Sequence, residues 1–299
     1  MRGLAVDLLA IARGPFLLLT PAVLFPAMAA SYRFSGLLPV DLACLILIAA
    51  LAAHVAVNAL NEYQDFTSGL DQTTDRTPFS GGSGTLPARP QRAEAARWLF
   101  IVSFALMAAI GGYLSWRVGT RIFFIGLVGG LIILAYTRVI NRMPLLCLVS
   151  PGLGFGLLMV NGTTWLLTGH FPASAQVVSW LVFFLVNGLL LLNQLPDIEA
   201  DRAVGRKHIP VLLGVPGSVG VYGLLLVGAY GSLILGFLLG VMPLASLLAL
   251  GTLPLGWQVF RALRASEGRR ELLIPAMGRN VVLVLLTPVL LGVGLLLGA

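Results

Sequence analysis

The chain has 299 residues, 58% of them hydrophobic and only 10% charged, with a mean hydropathy of +0.95. That composition excludes a soluble domain and a disordered one, because several apolar stretches reach the roughly 20 residues that cross a bilayer as helix. The formal charge of +7 requires no nucleic acid: topology, anionic lipid and an anionic substrate account for it.

Taken in order, the apolar runs predict nine membrane helices in one all-α domain over 1–299. They lie at about 14–32, 39–62, 96–116, 119–137, 144–168, 174–196, 217–240, 242–262 and 277–298. The runs are continuous rather than alternating, which excludes a strand-built barrel. The first, from Phe16 to Ala30, lacks a clear small-residue cleavage site and reads as a span. With the amino terminus on the cytoplasmic side, all nineteen basic residues except Arg33, Arg117 and Arg121 fall on that face, Arg2 among them. This bias fits a multi-pass protein of the cell membrane. Cys44 and Cys147 sit inside apolar runs and read as small core residues.

The acidic residues are unevenly spread. Glu62, Asp65, Asp71 and Asp75 follow the second run, and Asp197, Glu199 and Asp201 follow the sixth. Carboxylates at the end of a span are costly unless neutralised, and so mark a functional site. Residues three, four, seven or eight apart share a helix face. Asn58, Asn61 and Asp65 therefore form one stripe, and Asn193, Asp197 and Asp201 another. Every donor is an oxygen, which suits magnesium, or manganese, rather than zinc or copper. Two such half-sites facing each other would hold metal ions with a diphosphate between them. Arg76 follows the first cluster, and Arg202, Arg206 and Lys207 follow the second. Guanidinium forks and a lysine point charge suit phosphate oxygens. Solvated Asp–Arg pairing is the plainer account of one Asp-x-x-x-Asp, but two matched clusters on one face favour the metal–diphosphate site.

Two stretches carry a family resemblance. The first is Asn58-Ala-Leu-Asn61-Glu62-Tyr63-Gln-Asp65-Phe66-Thr-Ser-Gly69-Leu-Asp71. The second is Asn193-Gln-Leu-Pro196-Asp197-Ile-Glu199-Ala-Asp201-Arg202-Ala-Val-Gly205-Arg206-Lys207-His208. Together they resemble the aspartate-rich motifs of the UbiA superfamily of membrane prenyltransferases, most closely its menaquinone branch, the 1,4-dihydroxy-2-naphthoate polyprenyltransferases. The resemblance implies a nine-helix bundle around a central cavity, with its active site on the cytoplasmic side. It also implies magnesium-dependent transfer of an isoprenoid chain from an allylic prenyl diphosphate to an aromatic quinone precursor. By position, Asp65, Asp71, Asp197 and Asp201 become the catalytic carboxylates. Asn61, Asp65, Asp71, Asn193, Asp197 and Asp201 become the metal ligands, and Arg76, Arg202, Arg206 and Lys207 the diphosphate contacts. The chain departs from the family at Glu62, Pro196 and His208 and between Tyr136 and Pro144. The acceptor accordingly stays open among dihydroxynaphthoate, hydroxybenzoate, a tetrapyrrole and glycerol phosphate. A cation-coupled transporter is the alternative from another class, but its carboxylates would lie near the bilayer midplane.

Further residues complete the expectations. Gly81-Gly82-Ser83-Gly84 reads as a flexible segment that closes over the site, or else as a backbone anion nest. His54 either faces the cavity beside Asn58 or bonds a neighbouring helix. Tyr63 and Tyr136 are candidate ring faces for a carbocation. Gly126, Gly129, Gly130, Gly152, Gly154 and Gly156 suit close helix packing or leave width for a tunnel.

Overall fold

The computed structural model describes residues 3–298, and among these there is no strand. Arg2, counted above with the basic face, lies outside them. A short helix α1 (Leu4–Ile11) exposes Leu4 and Leu9 while Asp7 and Ile11 turn inward. Eight residues are too few to span a bilayer as helix, and α1 packs against the helices Val40–Thr67 and Ala93–Val118. The longer helices are α2 (Leu19–Ser35), α3 (Val40–Thr67), α4 (Ala93–Val118), α5 (Thr120–Ala135), α6 (Pro144–Thr168) and α7 (Ala173–Asn193). A short α8 (Ile198–Ala203) follows, then α9 (Ile209–Leu238), α10 (Leu253–Ser266) and α11 (Arg270–Leu297).

Among the described residues, seven helical segments are long and apolar enough to cross a membrane. Two expected runs behave differently. The fourth gives α5, only 16 residues long. The eighth is split into a 3₁₀ segment, Leu244–Thr252, and α10. Gly251 and Pro254 stand at that break, where a glycine and a missing N–H favour ending one helix and starting another.

The core forms around α7, where Val178, Leu181, Val182 and Leu185 pack against α2, α9 and α11. Helix α6 approaches α7 closely through Gly152 and Gly156. A Cβ on Gly152 would stand 2.5 Å from the Phe183 carbonyl oxygen, and one on Gly156 2.6 Å from the Phe183 nitrogen. Pro151 lacks an N–H and interrupts the ladder of α6. The helix continues in π-type turns over Leu153–Val160, and the Gly152 N–H donates to Asn187 Oδ1 at 2.6 Å. Gly126 and Gly154, by contrast, face open space. The expected division between packing and tunnel glycines thus runs within α6 itself.

Candidate active site

Helices α3 to α7 surround a cavity of about 680 Å³. On α3 the wall is the stripe Ile46, Ala50, Ala53, Val57, Asn61 and Asp65, spaced by three or four residues so that one helix face lines the space. From Ile46 to Asp65 the helix rises about 28 Å, close to the ~30 Å of a bilayer's hydrocarbon core. Most of that length is apolar. The carboxylates and guanidiniums of the wall gather at one end: Arg13, Asp65, Asp71, Asp197, Asp201 and Arg206.

That end brings the two acidic motifs together across one guanidinium. Arg206 Nη1 donates to Asp201 Oδ1 at 2.8 Å, and Arg206 Nη2 pairs with Asp65 Oδ1. Asp201 Oδ2 also meets His208 Nε2 at 2.7 Å, and Asp65 Oδ2 accepts from Asn61 Nδ2 at 3.0 Å. A second cation, Arg13, donates to Asn61 Oδ1 at 3.0 Å and lies 3.4 Å from Glu62. The glycine loop is tied down over these groups. Ser83 donates to fully buried Glu62 through both its amide and its hydroxyl, and Ser80 Oγ donates to Asp197 Oδ1 at 3.3 Å. Gly82, at φ 73, passes so near that a Cβ would sit 3.2 Å from both Asp71 Oδ1 and Glu62 Oε1. The flexible closing segment expected from composition is therefore held in place, and its Ser83 amide serves a carboxylate of the protein itself. Asp7 adds a further tie by accepting hydrogen bonds from Arg89 and Arg92, which fastens α1 to the end of this loop.

Among the described residues no three His, Cys, Asp or Glu side chains form a ready-made cation cage, and Arg206 stands between two of the carboxylates instead. Two oxygens nevertheless point to a missing partner. Among the described residues Asp71 Oδ2 and Asn193 Oδ1 are buried without a hydrogen bond, and both residues line the cavity. Buried acceptors left unmatched are costly, and a cation held by oxygens would satisfy them. Five carboxylates (Glu62, Asp65, Asp71, Asp197, Asp201) face two guanidiniums (Arg13, Arg206). With all of them ionised, negative charge is in excess, so the residues fit magnesium.

Burial, reinforced by the charges of Glu62 and Asp65, pushes the Asp71 carboxyl up to about 7. Its folded-state value lies above the unfolded one, so the metal-free protein loses stability as pH rises toward 7. A bound cation requires the ionised form and opposes that loss. Magnesium is therefore expected to raise the unfolding temperature more at pH 8 than at pH 6, as read by scanning fluorimetry in detergent. Equal shifts at the two pH values would remove Asp71 from the cation site.

The structure places the expected residues unequally. Asn58, Asn61, Asp65, Asp71, Tyr136, Asn193, Asp197, Asp201 and Arg206 all line the cavity. Tyr63 packs instead beside Ile11, Ala59 and Leu86; it is two residues beyond Asn61 and so faces the other way. Arg202 pairs with exposed Glu199 at 2.7 Å, and Lys207 is exposed. The Arg76 guanidinium is folded against the α-carbon of Gly84. His54 does both things foreseen for it: Nδ1 bonds Thr20 Oγ1 at 2.9 Å, and the ring lines the cavity edge-on to Phe155. Arg13 went unassigned at the sequence level. It adopts a left-handed backbone (φ 54, ψ 54), uncommon for a residue with a Cβ and a frequent mark of a functional position. The available signal was a lone arginine before Gly14-Pro15 at the mouth of the first span.

The structure is thus a helical bundle of membrane length that encloses an apolar chamber capped at one end by carboxylates, amides and guanidiniums. The chain matches the UbiA prenyltransferase family over residues 18–296 and belongs to it. It is 27% identical over 180 residues to the 1,4-dihydroxy-2-naphthoate octaprenyltransferase of Bacillus subtilis (strain 168), covering 58% of this chain and 55% of that relative. The match thus spans about half the length of that protein. Identity to UbiA prenyltransferase domain-containing protein 1 of Homo sapiens is 28% over 268 residues, covering 83% of this chain and 71% of the relative. The solved UbiA homolog from Archaeoglobus fulgidus bound to DMAPP and Mg2+ superposes with a TM-score of 0.61 at 14% identity, covering 96% of this chain and 99% of that one. The apo UbiA homolog from Aeropyrum pernix K1 gives 0.62 at 16% identity, covering 99% of each. At such identities the likeness is one of fold.

Proposed function

We propose that the protein transfers an isoprenoid chain from an allylic prenyl diphosphate to an aromatic acceptor in a magnesium-dependent reaction. 1,4-Dihydroxy-2-naphthoate is the acceptor that the octaprenyltransferase relative favours, and manganese is a substitute metal. The observation that carries this reading is the placement of one polar cap, built from both acidic motifs, on an apolar cavity nearly as long as a bilayer is thick. The cap suits a diphosphate and the cavity suits its hydrocarbon tail. We assign nine crossings, counting α5 and the segment Leu244–Ser266, with the amino terminus and the cap on the cytoplasmic side. The charge bias among the loops supports that orientation.

Asn61, Asp65 and Asp71 from one motif and Asn193, Asp197 and Asp201 from the other are the oxygen donors for metal. When bound, magnesium neutralises the diphosphate and so lowers the barrier to its departure from the allylic carbon. Arg206 exchanges its carboxylate partners for diphosphate oxygens, where its fork stabilises the charge building on the leaving group. The faces of Tyr136 and Phe155, on the cavity wall, attract the allylic cation. Apolar walls keep water from capturing that cation before the aromatic carbon does. Ser80 and Ser83 hold the loop that covers the cap.

The test supplies purified protein with prenyl diphosphates of graded length and with a naphthoate, a hydroxybenzoate, a tetrapyrrole and glycerol phosphate. Mass spectrometry of the lipid extract identifies the product. A prenylated naphthoate is expected with magnesium and not with a chelator. No alkylated acceptor from any pairing would defeat the reading, and a prenylated glycerol phosphate would change the acceptor class. Gly111 and Gly126 line the cavity and face open space. Gly111→Leu and Gly126→Leu are therefore expected to shorten the longest donor accepted while leaving turnover of the shortest unchanged. An unaltered length limit would place the tail elsewhere.

A further inference from the structure

Helix α10 carries a feature with no part in the chemistry above. Trp257, Arg261 and Arg264 are exposed and lie four and three residues apart, on one face of the helix. With Phe260 and Ala265 they line a groove of about 430 Å³, separate from the main cavity. Trp257 stacks on Phe260 with ring centroids 5.6 Å apart and 21° between planes. No carboxylate lines the groove. Among the described residues neither Arg261 nor Arg264 has an ion pair, whereas Arg13, Arg89, Arg92, Arg202, Arg206 and Arg270 all have one.

The order along the helix is also informative. Arg261 lies about 6 Å and Arg264 about 10 Å beyond Trp257 along the axis. The arginine end is the end that bears the active site, because Arg270, just after α10, donates to the Asp75 and Arg76 carbonyls at 2.7 and 2.6 Å. The groove thus sets its ring stack farther from the active-site end and its two guanidiniums nearer to it. We infer that it is a binding site for an anionic phospholipid, with the phosphodiester between Arg261 and Arg264 and an acyl chain along the Trp257–Phe260 stack. Guanidinium forks match phosphate oxygens in paired hydrogen bonds, and an indole at the interface accepts an acyl chain on its face. A soluble anion would make no use of the rings, and a neutral lipid would leave the two charges unmatched.

Native mass spectrometry of the detergent-solubilised full chain, titrated with phosphatidylglycerol or phosphatidylcholine, tests this. The wild-type chain is expected to hold one phosphatidylglycerol in preference to phosphatidylcholine. The double variant Arg261→Gln/Arg264→Gln should weaken that binding by about thirtyfold and leave phosphatidylcholine binding unchanged. Removing two other exposed arginines that have no ion pair among the described residues, as Arg138→Gln/Arg142→Gln, should leave the phosphatidylglycerol affinity unchanged, which separates a built site from general positive charge. Trp257→Ala keeps both charges and should weaken phosphatidylglycerol more than it weakens inorganic phosphate. Equal retention of phosphatidylglycerol by the wild type and the Arg261/Arg264 variant would overturn the assignment. So would equal loss in the Arg138/Arg142 variant, or displacement of the lipid by inorganic phosphate at comparable concentration.

Discussion

Asp65→Asn and Asp197→Asn are each expected to lower turnover by about 10²–10³-fold or more while the protein still inserts into membranes. Each change keeps the side chain's shape and removes a negative charge from the cap of the cavity. The oxygens that remain are weaker donors to a divalent cation, and the loss falls on the step in which charge develops. The two variants should differ in stability. Asp65 is paired with Arg206 and accepts from Asn61, whereas among the described residues Asp197 accepts a side-chain hydrogen bond from Ser80 alone, at 3.3 Å. Asp65→Asn should therefore lower the unfolding temperature of the metal-free protein, and Asp197→Asn should leave it nearly unchanged. Prenyl transfer at saturating magnesium, read beside thermal unfolding, gives both answers. Full activity in Asp197→Asn would remove the second motif from the metal site, whatever Asp65→Asn does.

Arg206→Met should show effects of opposite sign in two assays. The guanidinium occupies the gap between the motifs and neutralises Asp65 and Asp201, which are mostly buried. Its removal leaves two carboxylates facing each other without compensation, and breaking such a partly screened pair costs about 1–3 kcal/mol of stability. A divalent cation can then take the vacated place without displacing a charge. Magnesium alone should accordingly stabilise Arg206→Met against heat more than it stabilises the wild type. Diphosphate binding and turnover should fall, by about 10²-fold or more, because the leaving group loses its fork. Calorimetry with magnesium, first alone and then with inorganic diphosphate, separates the two. If metal binding without diphosphate weakens in Arg206→Met, the guanidinium is not a competitor for the cation position. If diphosphate affinity is unchanged, Arg206 never leaves the carboxylates.

Much of the site was legible because helix periodicity is local. The spacing of Asn58, Asn61 and Asp65 puts that set on one face of α3 whatever surrounds it. Asn193, Asp197 and Asp201 were expected to share a helix face in the same way, but α7 ends at Asn193 and a 3₁₀ turn over Leu195–Asp197, where Pro196 lacks an N–H, separates it from α8; the turn nevertheless brings all three to the cavity that the first set lines. The same arithmetic places Tyr63 on the far side of α3, beside α1, so its assignment with Tyr136 went against information already in the chain. The split of the eighth apolar run was also written locally, in Gly251 and Pro254. Hydropathy averaged over a window does not register a break between two apolar pieces.

Composition and periodicity by themselves determined that this is a helical membrane protein, where its acidic motifs lie and which face of α3 carries the first of them. Only the tertiary structure decided that Arg206 bridges Asp65, 141 residues away, that Arg13 turns left-handed to reach Asn61, and that the Ser83 amide is taken by Glu62. It alone distinguished Gly152, wedged against α7, from Gly126 beside open space. The physical reason is that a helix face follows from residues three and four apart. What neutralises a buried charge, or fills the space beside a glycine, is set by segments that meet only when the bundle closes.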